Sequence, residues 1–344
     1  MKLSRLKLLS LPEAITFGVL ILIVFLFPLL SRDTFSIGLM GYTLAFSLFA
    51  LSIFMVISLM GEIPLGHSMY YGLGMYVVGI LTRDHAVPFL LATLIAMVAV
   101  FILAMIVGFI TLRLTGAYFA IVSWGLAAVA VVVMISAKDI TGGALGLTRV
   151  PQSKIGDLSL ANPTTYATVS GVTVLVVLIA LALLRRTSFG RRVNGSRINR
   201  NLVRAAGANT YADRVLMFSL SAPIAAVGGA LSLQYLRIPT PDLLAVTTSV
   251  EALVMVLIGG VGFLLGPIIG AYFFGMLPEE FELPSDVRQI VVAVVVLLIV
   301  LLAPKGLPEI VGRVAKLFRR DGRASRSRAE AGAPEIVESS EKHP

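Results

Sequence analysis

The chain has 344 residues, of which 57% are hydrophobic and only 14% are charged. Soluble domains carry about 25% charged residues, so this chain has too few polar side chains to cover a water-exposed surface of its size. The mean hydropathy of +0.94 agrees with this. The composition excludes an ordinary soluble protein and predicts an all-α, polytopic membrane protein. The absence of cysteine excludes disulfides and thiolate sites, and the presence of only three histidines argues against a histidine metal centre. We therefore predict no metal, no cofactor and no catalytic residue.

Ten apolar runs are candidates for membrane-spanning helices, because a bilayer core about 30 Å thick requires about 20 apolar residues in helical conformation. Two features leave the number of spans between eight and ten. The run at 68–82 is short, and the pair around Gly259 and Gly270 forms either one broken helix or two. The runs lie at about 14–30, 35–60, 68–82, 87–110, 117–136, 164–184, 215–236, 247–262, 264–278 and 288–303.

The distribution of lysine and arginine predicts the orientation of these spans. With ten spans, most of the 28 basic residues fall on the side that holds both ends of the chain. The positive-inside rule then places both termini in the cytoplasm, and explains the net charge of +9 better than nucleic-acid binding does. The predicted organisation is a basic cytoplasmic N-terminus at 1–13, a transmembrane domain at 14–310, and a basic, disordered cytoplasmic tail at 311–344. Residues 137–163 form an outer loop.

The largest inner loop, here called the arginine-rich segment, spans residues 185–214 and contains eight arginines. We predict a short helix over 193–206, closed by Gly207 as the C-terminal glycine. Arg197, Arg200 and Arg204 recur at helical spacing and share a face. Three uses remain open for this face: binding lipid phosphates, docking into an acidic groove of a partner, or fixing the topology alone. The chain has no P-loop sequence, so a separate polypeptide must supply any ATP-driven motor.

Glycine-rich runs and isolated polar residues supply the remaining candidates. Glycines at 262, 266 and 270 repeat every four residues, which suits either close helix packing or a broken helix that lines a pathway. Glu251 lies in an apolar run, where it either caps the start of a helix or serves transport. His67 lies in a turn rich in glycine and proline, where a structural role is more common than a catalytic one.

Six sequence blocks, distributed over about residues 36–310, carry a resemblance to a known family. The blocks are Pro64-Leu65-Gly66-His67-Ser68 with Gly72–Tyr76, Leu112–Ile121, Thr141-Gly142-Gly143 with Gly146, Leu147 and Pro151, Phe189–Asn209, Ser249–Pro267, and Pro304–Leu307. In this order and at these separations they resemble the permease subunits of branched-chain amino acid ABC importers, of the LivM type. The family usually has acidic residues where this chain has Ile198, Arg200 and Arg204, and serine in place of Pro64.

This resemblance implies a transport subunit of the bacterial inner membrane rather than an enzyme. The implied partners are a second homologous permease, two cytoplasmic ABC ATPases and an extracytoplasmic substrate-binding protein. The implied substrates are leucine, isoleucine and valine, with other amino acids, urea and short amides as alternatives. The implied site residues are Arg197, Asn199, Gly207 and Asn209 for coupling to the ATPase; His67, Glu251, Gly259, Gly260, Gly262, Gly266 and Pro267 for the pathway or for helix packing; and Thr141, Gly142, Gly143 and Gly146 for the outer loop.

Three other classes of protein compete with this interpretation. A secondary transporter or channel would have intramembrane charges for coupling ions, and only Glu251 qualifies. A membrane-embedded enzyme would have clustered polar residues at one face, and the acidic cluster at 279–286 lacks a histidine or cysteine partner. A sugar-importer permease shares the general architecture, but the Thr-Gly-Gly and Pro-Lys-Gly-Leu blocks resemble the amino-acid permeases instead.

Overall fold

A computed structural model describes residues 33–275 of the chain. The spans predicted at 14–30 and 288–303, the end of the run at 264–278, the acidic cluster at 279–286, the basic N-terminus and the tail at 311–344 lie outside the described residues. Most of the described part is helical. Its helices are α1 (Thr34–Met60), α2 (Ser68–Asp84), α3 (Phe89–Thr111), α4 (Ala117–Ser136), α5 (Lys138–Thr141), α6 (Pro163–Arg186), α7 (Ser188–Ile198), α8 (Arg200–Ala205), α9 (Thr210–Leu236), α10 (Val246–Gly259) and α11 (Gly266–Gly275).

Five of these helices, α1, α3, α4, α6 and α9, are long and apolar enough to cross a membrane. Their bounds lie within a few residues of the predicted spans, because long apolar runs have no other way to satisfy their backbone in lipid. The run at 68–82 is a short helix, as predicted, and the pair around Gly259 and Gly270 is two helices. The described residues therefore confirm a polytopic helical membrane protein.

Helices α1 and α9 form the centre of the bundle. The apolar stretch of α1 is entirely buried, whereas α3 and α4 leave most of theirs exposed. Small residues allow the central helices to approach closely. A side chain at Gly228 would meet the backbone of α1 at Ala45 and Phe49, and one at Gly74 would meet the backbone of α9 at Ala226. Close backbone approach at small residues is the usual way in which helices pack in membranes.

Helix α1 begins at a side-chain cap. The Asp33 carboxylate accepts hydrogen bonds from the backbone N–H groups of Phe35 and Ser36, each at 3.1 Å, and from the Ser36 hydroxyl at 2.7 Å. These bonds, the Ser36 hydroxyl first, lower the pKa of Asp33. The carboxylate therefore stays charged and satisfies two N–H groups that lack partners within the helix.

Two unwound segments meet each other inside the bundle. The first, residues 61–67, reaches Gly66, which packs on the backbone of Ser123, nearly two turns inside α4. The second, residues 237–245, includes the 3-10 turn Pro241–Leu244. The Ser68 hydroxyl donates to the Leu244 carbonyl at 2.8 Å, and the Ser68 N–H donates to the Ser249 hydroxyl at 2.8 Å. Helices α2 and α10 thus both start inside the bundle, which is tolerated only where protein covers the unwound backbone.

Helices α10 and α11 form a tight hairpin rather than one continuous helix. A side chain at Gly259 would overlap the Gly266 carbonyl, and one at Gly270 would overlap the Met255 carbonyl. Gly262, in contrast, lies in the connecting turn and has open space around it. The prediction that Gly262 shares a close-packing face with Gly266 and Gly270 is therefore wrong. The helix ends before Gly262, and Gly259 makes the close contact instead.

The predicted outer loop at 137–163 is a compact structure. It contains α5, a 3-10 turn at Gly143–Leu145, and a two-stranded antiparallel ribbon. Strand β1 (Lys154–Ile155) pairs with β2 (Leu158–Ser159) so that Lys154 faces Ser159. The Leu147 N–H donates to the Pro239 carbonyl at 3.1 Å, so the loop is attached to the end of α9.

Candidate functional site

The arginine-rich segment folds as two short helices whose ends are set by side-chain caps. Thr187 begins α7 by accepting from the Gly190 N–H at 3.0 Å, and Asn199 begins α8 by accepting from the Leu202 N–H at 3.0 Å. Asn209 begins α9 in the same way, through the Ala212 N–H at 3.1 Å. The predicted single helix over 193–206 is therefore wrong: it begins earlier, at Ser188, and is interrupted at Asn199, whose backbone is extended.

Gly207 closes the segment in the left-handed conformation, with a φ of 84°. It follows the last residues of α8, and its N–H donates to the Arg204 carbonyl at 2.9 Å. This agrees with the expectation of a C-terminal glycine at this position. A side chain there would meet no neighbour, so only the backbone conformation favours glycine.

A buried carboxylate anchors the arginine-rich segment to the helix bundle. Glu62 is only 3% exposed and lies just after the end of α1. It accepts hydrogen bonds from the Arg214 guanidinium at 2.6 Å, the Arg200 guanidinium at 3.1 Å and the Gly116 N–H at 2.7 Å. These donors come from α9, from α8 and from the turn before α4. A buried charge is tolerated when it is paired and hydrogen-bonded in this way.

Two further arginines bind the last turn of α1. The Arg197 guanidinium donates to the Ser58 carbonyl at 2.6 Å, and the Arg185 guanidinium donates to the Ser58 hydroxyl at 2.9 Å. The stem of Arg197 also packs beside Gly61, whose φ of 73° ends α1. The carbonyls at the end of a helix attract cations, so these contacts are favourable electrostatically as well as geometrically.

A more exposed ion pair links α7 to the start of α9. The Arg192 guanidinium donates to both oxygens of Asp213, at 2.8 and 2.9 Å. The hydrogen bond to this carboxylate raises the pKa of Arg192, so the guanidinium stays charged. Because Arg192 is partly exposed, solvent screens this pair more than it screens Glu62.

The exposed surface of the segment is apolar at two positions. Ile198 is 83% exposed and Leu202 is 70% exposed, one on each side of the break at Asn199. Arginines surround them in sequence. These two side chains make the segment a candidate surface for contact with another protein.

The residues predicted for coupling have internal roles in the described structure. Asn199 and Asn209 cap helices, Gly207 ends one, and Arg197 holds the end of α1. Sequence reasoning did not single out Glu62, Arg214, Ile198 or Leu202 as site residues. A usable signal existed for Glu62, because an acidic residue beside a helix-ending glycine could neutralise part of a segment with eight arginines and one aspartate.

His67 is buried in the bundle, whereas Glu251 is exposed. His67 is fully buried, its Nε2 lies 3.1 Å from the Ser221 hydroxyl, and its ring packs edge-on against Tyr70 and Phe218. Glu251 is the sixth residue of α10, whose cap position is Ala245, so the expectation that it caps this helix is wrong. Its side chain is exposed.

Tight turns shape the predicted outer-loop site. The Thr141 hydroxyl donates to the carbonyls of Met134 and Ala137, at 2.6 and 2.8 Å, and accepts from the Gly143 N–H at 3.2 Å. Gly142, Gly143 and Gly146 all have positive φ angles, which explains glycine at each position. Two further predicted residues belong to the α10–α11 hairpin. Gly260 lies in the turn directly after α10, and Pro267 is the second residue of α11. Within residues 33–275, no group of three acidic or histidine side chains could hold a metal ion.

A bundle of long apolar helices with a charged segment anchored at one end defines a polytopic helical membrane protein. The sequence profile of the family described as the permease component of branched-chain amino acid transport systems matches residues 36–303. The chain therefore belongs to this family of transport proteins. It is a multi-pass inner-membrane protein and a transport component rather than an enzyme.

Two relatives carry the name high-affinity branched-chain amino acid transport system permease protein LivM. The protein of Salmonella typhimurium is 25% identical over 306 residues, which cover 81% of this chain and 71% of the relative. The protein of Escherichia coli is 23% identical over 302 residues, with the same coverage of each chain. No solved structure matches this chain.

Proposed function

We propose that this chain is a permease subunit of an ATP-driven importer for branched-chain amino acids. A second homologous permease completes the substrate pathway, two ABC ATPases on the cytoplasmic side supply the energy, and an extracytoplasmic binding protein delivers the substrate. The family and the names of the relatives support the substrate class. The arginine-rich segment lies on the cytoplasmic side in this arrangement, together with both termini.

The observation that carries this proposal is the anchoring of the arginine-rich segment. An external motor requires a rigid element that receives its motion and passes it to the helices. Helices α7 and α8 supply such an element, because Glu62 and Ser58 hold them against the ends of α1 and α9. Ile198 and Leu202 then enter a cleft of the ATPase whose rim is acidic, opposite the arginines.

The pathway itself runs beside the two unwound segments in this proposal. Unwound backbone at membrane depth is where transporters commonly bind their substrates. Glu251 and the α10–α11 hairpin, with Gly259, Gly260, Gly262, Gly266 and Pro267, belong to the wall of the pathway, whereas His67 holds α2 in place through Ser221. The outer loop, with Thr141 and Gly146, receives the binding protein.

The test of this function is uptake in cells that lack the chain. We would supply labelled leucine, urea and glutamate separately, with and without depletion of ATP. Loss of ATP-dependent leucine uptake that the intact chain restores would support the proposal. Loss of urea uptake alone would support the ATP-driven importer but would show that its substrate is urea. Leucine uptake that resists ATP depletion would refute the ATP-driven mechanism.

Docking of the ATPase has a separate test with a matched control. Replacing Ile198 and Leu202 together by aspartate places negative charge opposite an acidic rim, so the ATPase subunits should no longer co-purify with the chain. Leu145→Asp is the control, because Leu145 is 82% exposed but lies in the outer loop. Co-purification that survives both sets of changes would refute this docking surface.

A further inference from the structure

The Glu62 carboxylate connects three parts of the chain that are far apart in the sequence. Its carboxylate binds groups that are 54, 138 and 152 residues away in the sequence. Both Glu62 and Arg214 are buried, with side chains 4% exposed, whereas Arg200 is partly exposed at 36%. The joint therefore has a buried half within the bundle and an accessible half on α8.

The charges of this joint connect α8 to the bundle through one carboxylate. The Arg214 ion pair is buried, so loss of the Glu62 charge would leave the Arg214 charge uncompensated at high cost. The Arg200 ion pair is partly exposed and joins α8 to the same carboxylate. A displacement of α8 therefore reaches the bundle through Arg200 and Glu62, and packed elements with discrete arrangements pass such a displacement on.

The residues that follow Glu62 in the chain contact other helices inside the bundle. Glu62 is the second residue of the unwound segment 61–67, which ends at His67 beside Ser221 of α9. The next residue, Ser68, binds Leu244 and Ser249 at the start of α10. The chain from Glu62 to Ser68 thus connects the arginine-rich segment with the place where the two unwound segments meet.

From this arrangement we propose that Glu62 is a positioning residue that carries movement of the arginine-rich segment to the unwound segment 61–67. This inference rests on the proposed function, because the movement is supplied by a partner ATPase. Without the Glu62 carboxylate, α8 can move while the unwound segment stays still. The complex then hydrolyses ATP without moving substrate.

The decisive measurement is the number of substrate molecules taken up for each ATP hydrolysed. The complete transporter, with all its partner subunits, is reconstituted in proteoliposomes, and leucine uptake and ATP hydrolysis are measured in the same vesicles. Glu62→Gln keeps an acceptor for the Gly116 N–H but removes the charge that holds both arginines. We expect hydrolysis within about twofold of the wild-type rate and uptake per ATP reduced by about tenfold or more, since breaking a buried ion pair costs more free energy than a tenfold change corresponds to.

Asp213→Asn is the matched control for Glu62→Gln. It also neutralises a carboxylate that binds an arginine of the same segment, but its partner Arg192 is more exposed and the pair does not touch the unwound segment. Uptake per ATP should change by less than about twofold in this variant, as expected for a screened surface pair. An equal loss in both variants would overturn the inference.

A second variant covers the case in which Glu62→Gln does not assemble. Replacing Glu62 and Arg214 together by glutamine removes both members of the buried pair, which is better tolerated than removing one. An assembled variant with normal uptake per ATP, or with hydrolysis and uptake reduced in proportion, would overturn the inference. If the wild-type complex shows no ATP-dependent leucine uptake, the proposed function itself fails, so the two failures are distinguishable.

Discussion

Replacing Gly266 by alanine should destabilise the α10–α11 hairpin through direct overlap with backbone atoms. The added methyl group would lie 2.7 Å from the carbonyl oxygens of both Gly259 and Gly260, whereas ordinary contact begins at 3.4 Å. Neither neighbour is a flexible side chain that could move aside. Overpacking typically costs about 1–3 kcal/mol, and two backbone neighbours place this variant at about 3 kcal/mol.

Gly262→Ala is the matched control, because it makes the same chemical change in the same hairpin with open space around the new methyl group. Both variants restrict the unfolded chain equally, an effect of about 0.4–1 kcal/mol, so the difference between them isolates the overlap at Gly266. The assay is the thermal unfolding midpoint of the purified complex in detergent. We expect a clearly lower midpoint for Gly266→Ala and no loss for Gly262→Ala. Equal midpoints would refute the described packing of the hairpin.

Three further predictions concern the other parts of the site. Gly207→Val forces a branched residue into the left-handed conformation at roughly 1–2 kcal/mol, so uptake should fall while the amount of protein in the membrane fraction stays normal; wild-type uptake would contradict it. Glu251→Gln should reduce uptake without lowering the thermal midpoint, because Glu251 caps no helix; a lower midpoint with normal uptake would show a structural role instead. Thr141→Val removes three hydrogen bonds of the outer loop, so retention of the binding protein on immobilised transporter should weaken, and unchanged retention would place the docking surface elsewhere.

The long helices were predictable because a single physical constraint governs them. Apolar backbone in lipid has to satisfy its own hydrogen bonds, so an apolar run of sufficient length becomes a helix whatever surrounds it. Helices α1, α3, α4, α6 and α9 follow this rule. The short elements were harder to predict. The break between α10 and α11 was expected from its glycines, yet the contact role of Gly262 was assigned incorrectly, since it depends on where the chain turns back.

The arginine-rich segment shows the limit of reasoning from local sequence. Its glycine terminator at Gly207 was predicted from local pattern, and the structure has it in the left-handed conformation. The break at Asn199 was not predicted. An asparagine can lie within a helix or cap the start of one, and the local sequence does not distinguish these two roles. The two most exposed large apolar side chains of this segment, Ile198 and Leu202, were also not recognised, because burial is a property of the packed bundle.

The sequence by itself determined the class of protein, the main spans, the basic segment and the family resemblance. Each of these depends on composition, period or motif, which are local properties of the chain. Only the tertiary structure decided that Glu62 pairs with Arg200 and Arg214, and that Ser68 meets Leu244 and Ser249 inside the bundle. The physical reason is distance along the chain. With eight arginines in one segment, nothing local says which of them a single carboxylate will reach once the helices pack.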